Sequence, residues 1–210
     1  MNKSYSALEE KWNVLTHGFG LFMSVVALLF LVLKAGAHDN SWEIISFSIY
    51  GMSMVILYAA STFYHREGNP QKRARLKIVD HAAIYVLIAG TYTPFTLVTL
   101  HGRVGWTLFG IVWGFALVGI IMKLFFTGRY NLLSTLMYVF MGWLAVFAIK
   151  PMINNLPMDG LYWLLAGGLA YTIGAVLYMQ ERIKFNHVIF HVFVLIGSFC
   201  HFMAVYFYVS

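Results

Sequence analysis

Seven runs of about 20 mostly apolar residues, separated by short polar connections, constrain this chain more than any other feature of it. A run of that length crosses ~30 Å of hydrocarbon as an α-helix. Lipid offers no partners for backbone N–H and C=O groups, so such runs must satisfy them internally. Composition agrees: of 210 residues 60% are hydrophobic and 10% charged, far from the soluble average. The fold expected is an all-α integral membrane protein, a seven-transmembrane helix bundle in the cell membrane.

Residues 1 to 13 read as a polar leader in which Ser6-Ala7-Leu8-Glu9 fits a capping box, which predicts a short interfacial helix. The rest, 14 to 209, reads as one transmembrane domain. Its spans are expected at about Val14 to Leu33, Trp42 to Tyr64, Ile78 to Leu100, Gly105 to Phe126, Asn131 to Ile149, Leu161 to Met179 and His187 to Val209. Asn69-Pro70 marks a turn within the most basic connection, which holds Arg66, Lys72, Arg73, Arg75 and Lys77. Pro94 should kink the third span, and Pro151 and Pro157 mark a loop after the fifth. Gly110 and Gly114 have the small-residue spacing that lets membrane helices approach closely.

Other classes fall away. Basic residues give a net charge of +6, which in a membrane chain sets orientation rather than a nucleic-acid surface. Cys200 is alone, so no intramolecular disulfide framework exists. Ala35-Gly36-Ala37 resembles a cleavage site, but the apolar run before it is too long for a signal peptide and lacks a positive leader; it is expected to stay as the first span. Nothing in the residues specifies an oligomeric partner; membrane lipids are the partners that the composition implies.

Of the 14 Lys and Arg residues, only Lys34, Arg103 and Lys150 fall on the side of the membrane opposite the N-terminus. The positive-inside tendency then predicts a cytoplasmic N-terminus and an external C-terminus. His65 closes a span that reaches the cytoplasmic side, while Asp80, His187 and His17 open spans that leave it, so these residues share one depth. His201 lies ten residues beyond His191, about 15 Å further along the helix, and His38 and His101 belong to external loops. Those three are poor ligand candidates.

His187 and His191 are four apart and project side by side from one helix face, with His65 as a third imidazole. Three imidazoles suit zinc and leave an open coordination position. Asp80 is the acidic residue that enters the hydrocarbon, and Ser61 sits one turn before His65 on the same face. Local roles compete with these: Ser61 can bond its own helix carbonyl, and Asp80 can pair with Lys77 or Arg75. His81 points about 100° away from Asp80, which makes Asp80 the better candidate for the site. Asn13 and His17 are candidates for a supporting role.

Glu10-Lys11-Trp12-Asn13 with Thr16-His17, the stretch Ser61 to His65, Asp80-His81 with Gly90-Thr91-Tyr92-Thr93-Pro94, and His187 to His191 together resemble the bacterial hemolysin III branch of the progestin and adipoQ receptor family. The resemblance covers nearly the whole chain. It implies a seven-helix fold with zinc near the cytoplasmic side on His65, His187 and His191, and with Ser61 and Asp80 flanking the catalytic water. Eukaryotic relatives are linked to hydrolysis of lipid amides such as ceramides; bacterial relatives carry a cytolysin label and are tied to membrane homeostasis.

Two functions follow from this reading. One is a zinc-dependent hydrolase of lipid amide or ester bonds, with Asp80 activating water and Ser61 bonding it or the oxyanion. The other is a cytolytic, pore-forming or membrane-homeostasis protein in which zinc is structural, although the apolar external halves of the spans argue against a wide pore. For orientation, an alkaline phosphatase fused at Asn69 is expected to be inactive and one fused after Ser210 active; the reverse pattern would overturn the shared cytoplasmic depth of the histidines.

Overall fold

The computed structural model describes residues 5–127, 129–180 and 182–210, excepting the side chain of Asn131. Lys3, one of the basic residues counted above, lies outside them. The described residues form helices α1 (Ala7–Ala37), α2 (Ser41–Arg66), α3 (Pro70–Pro94), α4 (Gly102–Phe126), α5 (Asn131–Gly142), α6 (Ile149–Asn155), α7 (Met158–Met179) and α8 (Asn186–Tyr208). Seven helical segments are long and apolar enough to span a membrane, with α5 and α6 together making the fifth. The chain is a multi-pass membrane protein.

The leader and the first span are one continuous helix, so the boundary expected at residue 13 falls inside α1. The cap itself is where the sequence put it: the Ser6 hydroxyl accepts from the Glu9 N–H at 3.2 Å. Continuity has a reason in the inward face. Asn13, His17, Gly20, Ser24, Leu31 and Ala35 recur at steps of three, four and seven residues, so one narrow, mostly polar and small-residue stripe turns into the bundle while Leu15, Phe19, Phe22 and Leu33 face outward. Packing in lipid selects for this pattern, since apolar side chains gain nothing by leaving the hydrocarbon.

α1 packs on α2, α2 on α3, α3 on α4 and α7 on α8, and contact of α1 with α8 closes the ring on that side. α1 and α8 run parallel. Tyr5, just before α1, meets His187 at the start of α8, and Lys34 at the other end of α1 donates to the Tyr206 and Val209 carbonyls. That ammonium satisfies carbonyls which the end of α8 leaves without helical partners.

Buried hydroxyls join the helices. Ser198 is the hub: its Oγ accepts from Tyr58 of α2 at 2.8 Å and lies 2.8 Å from the Tyr171 hydroxyl of α7, while Tyr50 donates to its carbonyl. Tyr92 of α3 serves the interrupted fifth span. Its hydroxyl donates to the Gly142 carbonyl at 2.8 Å and accepts from the Ala145 N–H at 2.9 Å, which meets backbone groups freed where α5 gives way to the tight turn Leu144–Ala148.

Three local expectations change. Asn69 caps α3 through bonds to the Gln71 and Lys72 N–H groups, with Pro70 at the first helical position, so Lys72, Arg73, Arg75 and Lys77 ride on the first turns of a helix rather than in a loop. Pro151 likewise lies inside α6, near its start, where the missing N–H costs no helical bond. Beyond Pro94 the third span widens into a π-helical turn, Phe95–Thr99.

Gly110 and Gly114 make no close approach: a Cβ on either would meet nothing within 4 Å among the described residues. α4 instead approaches α3 at Gly119, where a Cβ would run into the Tyr85 ring. Replacing Gly119 with Leu is therefore expected to destabilise the protein by about 1–3 kcal/mol, whereas Gly110→Ala should stay within about 0.5 kcal/mol of wild type. Thermal unfolding of the two variants in the same detergent checks this; equal midpoints would refute the contact.

Candidate metal centre and its cavity

His65 ends α2, and His187 and His191 lie on the first turns of α8. Asn186 positions that start by donating from its side-chain amide to the Tyr178 carbonyl at 2.8 Å, tying α8 to the end of α7. The three imidazoles are buried together, each offering one ligand atom within 4.8 Å of the others. This group can hold a metal ion.

Hydrogen bonds at the opposite edges of the rings fix which nitrogens face inward. His65 Nδ1 lies 2.6 Å from Glu10 Oε2, so it donates to the carboxylate. His191 Nδ1 lies 3.2 Å from Thr16 Oγ1, whose own proton goes to the Trp12 carbonyl at 2.8 Å, leaving the hydroxyl to accept. His187 Nδ1 lies 3.0 Å from the Tyr5 hydroxyl, and burial pushes the Tyr5 phenol well above its usual range, so it stays neutral. With protons on Nδ1, His65 and His191 turn Nε2 lone pairs inward, and His187 does so in the tautomer whose Nδ1–H donates to the Tyr5 hydroxyl.

That arrangement tests the fit of a cation. His65 Nε2 and His187 Nε2 are 3.1 Å apart. In the His187 tautomer with its proton on Nδ1, two lone pairs face each other at that distance, and a cation can bridge them. Tetrahedral ligands ~2.0–2.1 Å from one zinc would stand about 3.3 Å apart, close to the spacing seen. The spacing of that pair suits a metal ion, and the third ligand atom lies within 4.8 Å of both.

All three supports come from Tyr5 and α1, although α1 supplies no ligand. Glu10 is itself held by Arg73, whose guanidinium also lies over the Tyr64 ring, 4.7 Å from its centroid. Glu10 and Thr16 stand in the sequence one helical turn and a half apart, but nothing in their spacing names the histidine each will meet. Of the supports expected from sequence, His17 contacts the centre by stacking on His191, with centroids 3.4 Å apart and rings 10° from parallel. Its ring nitrogens make no hydrogen bond among the described residues. Asn13 is fully buried, but its side-chain amide bonds none of the histidines.

Beside the triad lies a cavity of about 150 Å³, lined by residues of α1, α2, α3, α4, α5, α7 and α8. Ser61 and Asp80 both line it, with the Ser61 hydroxyl beside the Asp80 carboxylate and His65 near enough to act on that charge. His81 lines it too. The cavity spans more of α3 than one side-chain direction, so the 100° between Asp80 and His81 does not separate them. His201 lies outside the metal-capable group, as its distance along α8 implied, yet it reaches the far end of the same cavity with Nε2 3.2 Å from the Leu164 carbonyl. A second, apolar cavity of about 290 Å³ adjoins there, sharing Thr91, Tyr92, Trp143, Gly168 and His201 with the first.

A family model described as haemolysin-III related matches residues 5–202, which takes in the triad and all three of its supports. The chain belongs to the haemolysin-III-related family. It is 48% identical to Hemolysin-3 of Bacillus cereus over 96% of this chain and 92% of that one. Identity to the Hemolysin-3 homolog of Bacillus subtilis (strain 168) is 46%, over 97% and 96%. The human monocyte to macrophage differentiation factor is more distant, at 29% identity over 95% of this chain and 84% of its own. The resemblance read from the motifs is thus shown.

His65→Ala and His191→Ala are expected to abolish stoichiometric metal in purified protein, and His201→Ala to leave it unchanged. Glu10→Gln should keep the fold but weaken metal affinity about 10- to 100-fold, because His65 loses the charge that orients it. Elemental analysis and chelator competition read both; full affinity in Glu10→Gln would show that the carboxylate does not support the site.

Proposed function

We propose that the chain is a zinc-dependent membrane hydrolase acting on an amide or ester bond of a lipid, with zinc held by His65, His187 and His191 near the cytoplasmic side. One observation carries this reading: an imidazole triad that can hold a cation lies beside a cavity lined by two of its members, His187 and His191, together with a carboxylate and a hydroxyl, Asp80 and Ser61. Three neutral ligands leave the ion its full charge and one open position, the pattern of catalytic rather than structural sites. When bound there, zinc supplies Lewis-acid polarisation of the scissile carbonyl and makes water a stronger acid.

The chain's own residues do the rest. Asp80 accepts the proton of the attacking water and returns it to the leaving nitrogen or oxygen, which balances the cleavage to a free carboxylic acid and an amine or alcohol. Ser61 orients the Asp80 carboxylate through the contact between them and presents its hydroxyl to the water or to the oxyanion. Leu87, Ile88 and Val194 give the cavity an apolar wall for an acyl chain.

The names of the bacterial relatives favour a second reading, in which a structural zinc ties α2 and α8 together in a cytolytic, pore-forming or membrane-homeostasis protein. One set of liposomes separates the two. In the first reading, Asp80→Asn and Ser61→Ala keep zinc and thermal stability, while fatty acid release falls, by about 10²–10⁴ for Asp80→Asn. Dye leakage without any fatty acid release from wild type would favour the second reading. Zinc retention with undiminished hydrolysis would remove Asp80 and Ser61 from the chemistry.

A further inference from the structure

Lys123 sits in the last turn of α4, one turn from the end of its span. A lysine there ordinarily extends its chain to place the ammonium in water. Lys123 does the opposite: it is 2% exposed and lines the cavity beside the metal centre. Its Nζ lies 6.0 Å from the centroid of the Tyr138 ring, too far for more than a weak cation–π contact. No carboxylate stands within salt-bridge distance of it among the described residues.

The surroundings deepen the imbalance. His81, on the same cavity, feels the charges of both Lys123 and Lys77. Asp80 is engaged by His65, Ser61 and Lys77 rather than by Lys123. Of the nearby hydroxyls, Ser134 donates to the Tyr130 carbonyl and Tyr138 to the His81 carbonyl, so neither proton is offered to the cavity, whereas the Lys123 ammonium borders it. A buried cation with no counter-charge costs several kcal/mol, and no carboxylate among the described residues offsets it.

We propose that Lys123, with His81 beside it, is the receptor for the oxyanion of a single-chain lipid whose tail lies along the apolar wall of the cavity. The ligand must accept hydrogen bonds, because the free group is an ammonium; it must be charged, to balance that ammonium in a low dielectric; and it must carry an apolar chain, because Ile84, Leu87, Ile88 and Val139 line the path. A fatty acid carboxylate and a lysophospholipid phosphate share this chemistry. Binding of this kind does not require that the cavity hydrolyse anything.

The test uses full-length protein in uncharged maltoside micelles with labelled oleate, oleoyl lysophosphatidate and monoolein, which share one chain and differ in head group. At least one of the two anionic lipids is expected to bind about tenfold or more tighter than monoolein, and the tighter of the two identifies the oxyanion. Lys123→Gln or Lys123→Met should erase that preference, and Lys123→Arg should keep most of it; the Met variant removes a buried charge and guards against loss of fold. Equal binding of all three lipids by wild type, or a preference that survives in a folded Gln or Met variant, would overturn the proposal. So would displacement of oleate by inorganic phosphate or acetate at equal concentration, since the site would then need no lipid. Hydrolytic assays do not enter, so failure here and failure of the hydrolase reading are separate results.

Discussion

Three imidazoles brought within reach of one another inside an apolar bundle form a group that can hold a metal ion, and α1 with the residue before it sets how those rings are held. Tyr5, Glu10 and Thr16 each take the Nδ1 edge of one histidine. That leaves the opposite edge of each ring for the centre. Arg73 extends the chain of contacts from Glu10 into α3, so the ligand geometry depends on four helices although only two carry ligands.

The same shortage of water that gives those bonds their weight shapes the bundle. A free backbone group within a span has no solvent to turn to, so irregular backbone is met by a specific side chain. Tyr92 does this at the break in the fifth span, and Lys34 at the end of α8. Hydroxyls on α2 and α7 converge on Ser198 for a related reason: a buried polar group is costly until paired, so pairing specifies which helices meet and in what register.

Much was legible in the linear order. Hydrophobic run length gave the seven spans, because the hydrocarbon thickness is a fixed ruler. Helical spacing paired His187 with His191 and placed Ser61 a turn from His65, because 3.6 residues per turn allows little else. Element ends were less legible. The leader merged with α1, since an inward stripe of small and polar residues continued past residue 13, and the basic connection became the first turns of α3, since Asn69 and Pro70 start a helix as readily as they mark a turn. Gly110 and Gly114 had the right spacing for a helix contact but face away from the bundle, which a local pattern cannot reveal.

By itself, then, the sequence determined the class of fold, the number of spans, and the histidines with Asp80 and Ser61 as residues of one depth, because each rests on short-range periodicity or on the cost of placing polar groups in lipid. Only the tertiary structure decided which support each histidine meets, that His17 stacks while the Asn13 side chain bonds none of them, that His81 and His201 reach the cavity, and that Lys123 turns inward. Those facts depend on how helices rotate about their axes and lean on one another. Rotation is set by contacts between residues far apart in the chain, from Tyr5 against His187 to Gly119 against Tyr85, and no local pattern encodes it.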